Sequence, residues 1–201
     1  MTAERLTQPR IEPIDLDDVT DDELRTTLAG ALTLDGRPLN IFGVLGHHPK
    51  LLKRFNLLGG FILNKGLIPE RERELVILRV GHLCGSSYEV HQHRKISAAI
   101  GLSQEKIDGT ARDADPKLYQ GRELLVVRMT EQVVRKVKAD DELFAAAVAA
   151  LGHERTMELL IVIGLYVMLA QVLENAEVAL EEGGGPSQQD VQKIFDGQVR
   201  K

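Results

Sequence analysis

Cys84, Tyr88, Glu89, His91 and His93 fall within ten residues of one another, with Glu72 and His82 just upstream. A thiol, a phenol, carboxylates and imidazoles at this density suit nucleophilic or acid–base chemistry. Cys84 is the single cysteine of the chain, so an intrachain disulfide is impossible. It precedes a helix expected to start near Ser87. Free N–H groups and the helix dipole there favour an anion, which predicts a thiol pKa lowered toward neutrality. His91 is placed to take the thiol proton or return it, the minimum for an activated thiolate. On that helix, positions three and four apart share a face. Ser87 and Tyr88 thereby join His91, and Glu89 joins His93. A carboxylate beside an imidazole raises its pKa and fixes its tautomer, which suits a general acid. The same groups therefore make either an activated thiolate or a proton-transfer site with Cys84 as bystander. Glu72 lies twelve residues before Cys84, about 120° around a shared helix, so helix period alone does not join them. The two imidazoles of His91-Gln92-His93 point apart on a helix, so neither a metal nor an organic cofactor is expected.

Each residue also has a plainer reading. A lone cysteine at an apolar helix end is commonly a small buried hydrophobe. Glu70, Glu72 and Glu74 suit the positive end of a helix dipole, and Ser86 and Ser87 are natural caps. Their coincidence at one helix start favours a site.

The elements that must hold these residues are helices. Among 201 residues, aromatics make up 4% and Trp is absent; Leu, Ile, Val and Ala supply the core. The fold class expected is all-α, since no alternation of period two is bounded by hairpin turns. Residues 1–19 read as an N-terminal arm with Pro9 and Pro13, 20–182 as a single helical domain, and 183–201 as a flexible C-terminal tail with weak helix around Val191 to Phe195. Thr20 through Glu23 form a capping-box pattern for a helix ending near Gly30. Asp35 to Pro38 read as a turn, and Asn40 as the cap of the next helix. Pro49 opens a helix ended by Gly66, and Pro69 opens ERERELVILRVGHLC, apolar on nearly every face from Leu75 to Leu83. Ser86 with Glu89 is a second capping box, for a helix that Gly101 ends. Ser103 caps a short helix. Asp115-Pro116 starts a long one to about Lys138. Asp140 starts another that Gly152 ends, and a final apolar helix runs to about Glu182. The apolar run from Leu159 to Ala170 is too short to span a bilayer. The net charge of −5, without a Lys/Arg cluster, gives no nucleic-acid footprint. With no apolar signal core in MTAERLTQPRIEPIDLDD and one cysteine, the cytoplasm is the expected compartment.

RELVILRV followed by Tyr88-Glu89 and His93, inside PLNIFGVLGHHPKLLKRFNLLGGFILNKGLIPERERELVILRVGHLCGSSYEVHQHRKISAAIGLSQEKI, resembles the carboxymuconolactone decarboxylase family, which includes the alkyl hydroperoxidase D-like proteins. The resemblance covers about residues 35 to 180, with ELLIVIGLYVMLAQVLENA as the closing helix. The redox branch of that family carries E-x11-C-x2-C-x3-H. Glu72, Cys84 and His91 match it, and Ser87 stands at the second cysteine. A serine forms no disulfide, so the two-cysteine cycle is not expected here. A thiol-poor branch carries Y-E-W-x-x-H; Tyr88, Glu89 and His93 match, with Val90 at the tryptophan. The resemblance implies an alkyl hydroperoxidase D-like helical bundle, an obligate or near-obligate homo-oligomer (trimer or hexamer), and a small-molecule substrate. It implies a decarboxylase-like lyase acting on a small organic acid or lactone. A one-cysteine peroxidase (peroxiredoxin activity) using Cys84 and a non-catalytic oligomeric family member are the alternatives. Tyr166 and Asn175 on the last helix are in reach of lining the pocket, but read more simply as core and helix surface.

Overall fold

Runs of good helix formers punctuated by proline, glycine and short polar caps give eight helices among the residues that the computed structural model describes, 9–31, 33–34 and 37–181. They are α1 (Asp22–Ala29), α2 (Asn40–Leu45), α3 (Pro49–Lys65), α4 (Glu70–Cys84), α5 (Ser87–Ala99), α6 (Gln104–Gly109), α7 (Arg122–Lys136) and α8 (Asp141–Asn175). The all-α expectation holds. Two strands of two residues each, β1 (Thr33–Leu34) and β2 (Arg37–Pro38), pair antiparallel with Thr33 opposite Pro38. They are too short for an alternating pattern to betray them. The tail expected from 183 and its weak helix lie outside the described residues, as do the first eight residues of the N-terminal arm.

The chain divides into two compact units, one built from the chain up to Lys65 together with the segment from Val172, the other from Gly66–Gln171. In the first, Val19, Leu24, Leu28 and Leu52 form an apolar cluster, with Ile14, Leu16, Phe42 and Leu45 packed against it. Asp21, rather than Thr20, caps α1 by accepting from Leu24 N–H. Asn40 is the first residue of α2 and not its cap. Its N–H donates to Glu181 Oε1 at 2.8 Å, and its side-chain amide donates to the Ala179 carbonyl. The Arg10 and Ile11 N–H groups donate to the Ala176 carbonyl, and Arg10 pairs with Glu177 at 3.0 Å. Glu177 takes a positive φ of 50°, and the helix expected to reach Glu182 stops at Asn175.

In the second unit α4 is the central element, packed on α5 and α7. Leu75, Val76, Ile77, Leu78 and Val80 are fully buried. A helix enclosed on every side cannot be amphipathic, as the sequence indicated. Gly81 lets α5 approach: a Cβ there would lie 2.9 Å from Val90 Cγ2. Arg79 is 2% exposed, and its guanidinium donates to Glu131, Asp113 and the Thr110 carbonyl. That ties α4 to α7 and to the turn after α6. The helix expected from Asp115-Pro116 begins only at Arg122. Residues 115–119 form turns on the Asp115 carbonyl instead. The buried Tyr119 donates its hydroxyl to the Lys106 carbonyl at 2.6 Å, against Gly109. α8 is continuous except at Gly152, whose φ of 77° and ψ of 169° kink it where the sequence ended one helix and began another. By length and composition the whole of α8 meets the requirement for a membrane crossing, which the twelve-residue run did not. Its apolar character has a nearer explanation: Leu159, Val162, Ile163, Leu165, Tyr166 and Ala170 are buried in protein.

Candidate active site

The two ends of α4 carry different groups. At its C-terminus, Gly85 takes the left-handed conformation (φ 70°), and Ser86 N–H donates to the Gly81 carbonyl at 2.8 Å. This is the pairing of a glycine-closed helix end. It makes Cys84 the last residue of α4, with a half-buried side chain. Ser86 then precedes α5 without a side-chain cap bond, so the expected Ser86–Glu89 capping box does not form. Burial, and secondly the Glu89 carboxylate, push the Cys84 thiol pKa up. This is opposite to the direction expected from the N-terminus of α5 alone, because desolvation and the carboxylate that the hairpin brings to the sulfur outweigh it.

The other predicted residues separate. Glu72 sits in the first turn of α4, 7% exposed, and its Oε1 accepts from Arg122 Nε at 2.8 Å. Twelve residues along a continuous helix place it about 18 Å of axis from Cys84. Glu72 and the thiol therefore do not converge. Ser87 is exposed and His91 half-buried, while Tyr88 and Glu89 are 3% and 2% exposed. His82, upstream on α4, has its pKa lowered by burial, then by Arg79 and Arg94.

His93 turns inward. Its Nδ1 lies 2.7 Å from Glu74 Oε2, and its side chain is 13% exposed against 1% for Glu74. The partner that helix spacing suggested was Glu89; the one the fold supplies is Glu74, from the antiparallel neighbour. A carboxylate oxygen only accepts, so Nδ1 donates and Nε2 is left to exchange protons. Tyr166 of α8 meets the imidazole edge to face, with ring centroids 5.3 Å apart and planes at 85°. Burial, and then the charge of Glu74, push the Tyr166 pKa up; Arg73 opposes them, and Glu89 adds a smaller rise. The phenol stays protonated across the physiological range.

Glu89 thus acts on two groups, the Cys84 thiol and the Tyr166 phenol. Glu74, ten residues before Cys84, lies about 15 Å of axis away from it. The imidazole and the thiol occupy different stations on the α4–α5 hairpin. Sequence reasoning missed Glu74 and set Tyr166 aside as core. One signal was present for Glu74: it abuts Leu75, inside a run too apolar for any face to reach water. Among the described residues, no three His, Cys, Asp or Glu side chains are grouped to hold a metal ion.

Comparison with known proteins places this hairpin in context. Residues 49–132 match the model of the carboxymuconolactone decarboxylase family. Among solved structures, the chain is similar to the alkylhydroperoxidase AhpD core of an uncharacterized peroxidase-related protein from Ralstonia eutropha JMP134. The TM-score is 0.72 at 15% identity, covering 87% of this chain and 93% of that one. It is also similar to an uncharacterized peroxidase-related protein from Silicibacter sp. TM1040, with TM-score 0.74 at 12% identity, covering 89% and 97%. At these identities the likeness speaks for the fold. No curated protein sequence matches.

Proposed function

Since this chain carries the carboxymuconolactone decarboxylase family region on an AhpD-like all-α fold, we propose that it is an acid–base enzyme of the decarboxylase or lyase type, acting on a small organic acid or lactone. The observation that carries this reading is His93 Nδ1 at 2.7 Å from Glu74 Oε2, a buried carboxylate behind an imidazole. In a decarboxylation the C–CO2 bond breaks and its electron pair passes into an adjacent carbonyl, giving an enolate. The acid form is the imidazolium: with Nδ1–H kept on Glu74, Nε2 takes a proton from solvent, delivers it to carbon and returns to the neutral Nδ1–H tautomer. Tyr88, a buried phenol on the same helix, is the candidate donor to the enolate oxygen. Glu89 biases the local field. The reading also takes the protein to self-associate, supported by apolar side chains left exposed on α8.

The test is a panel of lactone acids and related carboxylic acids, turned over by wild type and by His93→Ala. Loss of activity in the variant is the expected outcome. Unchanged turnover removes His93 from the mechanism. The peroxidase-related description of the two structural neighbours favours a second reading, a one-cysteine peroxidase. There the Cys84 thiolate would attack a peroxide oxygen, releasing water or alcohol and leaving a sulfenic acid for an external thiol to reduce. The raised thiol pKa and the engagement of Glu72 by Arg122 weigh against it. Peroxide consumption abolished by Cys84→Ser and untouched by His93→Ala would establish that second reading over the first.

A further inference from the structure

Three helices meet at one imidazole: α5 supplies His93, α4 supplies Glu74 and α8 supplies Tyr166. One hydrogen bond from Nδ1 to Glu74 Oε2 holds one edge of the ring but resists only weakly a rocking of its plane about the Cβ–Cγ bond. A ring standing at 85° to the imidazole, 5.3 Å away, removes that freedom. Tyr166 is 8% exposed and Glu74 fully buried, so both restraints belong to the packed interior and neither depends on a mobile surface chain. From this geometry we infer that Tyr166 is a positioning residue for His93, acting by its ring. With Glu74 it holds the imidazole as the Nδ1–H tautomer in one plane, leaving Nε2 as the single proton-exchanging atom. The phenol takes no proton itself, because burial and the two neighbouring carboxylates keep it in its neutral form. The inference rests on the acid–base reading of His93, but its test needs no substrate.

Side-chain nitrogen NMR on the full-length protein reports the tautomer of each histidine, with His93→Gln assigning the signal. In wild type, His93 is expected as a single Nδ1–H tautomer; a resolved mixture overturns the proposal. Tyr166→Phe keeps the ring and is expected to leave both the tautomer and the order of the His93 ring, read by side-chain nuclear relaxation, as in wild type. Tyr166→Leu and Tyr166→Met remove the ring, and each is expected to keep the Nδ1–H tautomer on Glu74 but to show a more mobile imidazole in the same relaxation measurement. Ringless variants that fold and keep the wild-type ring order overturn the proposal. So does a Phe variant that behaves like them, since the hydroxyl would then be the operative group. If no ringless variant folds, the wild-type ring decides: an imidazole mobile relative to its own backbone overturns the proposal. Should His93 prove locked as stated while His93→Ala leaves turnover intact, the positioning stands and the acid–base function falls.

Discussion

His93 and Glu74 illustrate how much a residue owes to its neighbour across a hairpin. A buried carboxylate left without its partner keeps its desolvation cost. His93→Ala therefore removes more than a contact, and Glu74→Ala strands an imidazole that is 13% exposed. Glu74→Ala is expected to lower stability by about 3 kcal/mol in chemical denaturation, well above a surface glutamate. Loss of less than about 0.5 kcal/mol would mean the pair is not formed in solution. Cys84 yields a pH prediction. Its pKa is raised by burial and by Glu89, so at pH 8 the thiolate fraction is below that of an unperturbed cysteine. Alkylation by iodoacetamide should be slower than for free cysteine and climb as pH rises further. Glu89→Gln removes the charge, moves the pKa down and should speed alkylation at fixed pH; a slower rate would reverse the assigned sign. The pairing of Cys84 with Glu89 was legible because both lie within one short stretch. Glu74 was not, because its partner is nineteen residues away. Charge at a helix start has an adequate local explanation, which hid the long-range one.

At the scale of elements, the α4–α5 hairpin depends on Gly81. A methyl group there would meet Val90 Cγ2 at 2.9 Å and Glu89 Oε2 at 3.5 Å. Alanine improves helix propensity by about 1 kcal/mol over glycine, yet overpacking costs about 1–3 kcal/mol. Gly81→Ala is therefore expected to destabilise by about 1–2 kcal/mol in thermal or urea unfolding. Adding Val90→Ala should restore part of that loss, and simple additivity of the two losses would show that the clash is elsewhere. Gly152 differs in kind. Nothing lies within 4 Å of a Cβ there, but φ is 77°, so Gly152→Ala loses about 1–3 kcal/mol to backbone strain alone. Punctuation of this sort was readable. Pro49, Pro69, Gly101 and Ser103 mark helix ends where they were expected, because their effects act within a turn. Asp115-Pro116 was misread for the complementary reason. It has the local signature of a helix start, but the Tyr119 hydroxyl reaches the Lys106 carbonyl and tertiary packing holds the segment as turns.

At the scale of the whole chain, the compact units divide at Gly66 and again at Val172. Gly66 is a visible break; Val172 lies inside the apolar sequence of α8, where composition gives no sign. The exposed apolar residues were equally hidden, since helical periodicity does not say which face a neighbour covers. On α8, Met157, Ile161 and Met168 are 61%, 46% and 45% exposed. Gly164 is exposed between them, with open space above its Cα. Their spacing of four, three and four residues puts all four on one stripe. An uncovered apolar stripe with a glycine notch is suited to close helix approach, and contiguous patches of this kind mark association surfaces on soluble proteins. On the self-association reading, light scattering coupled to size exclusion should give a multiple of the one-chain mass for wild type. Met157→Glu with Ile161→Glu should reduce it to the one-chain mass with helix content unchanged. The two carboxylates face solvent in the isolated chain and cost little there. In an assembly buried on this stripe they would be desolvated without partners, a penalty of several kcal/mol per charge, enough to dissociate it. A wild type that elutes at one-chain mass, or an assembly indifferent to both glutamates, would remove α8 as the contact.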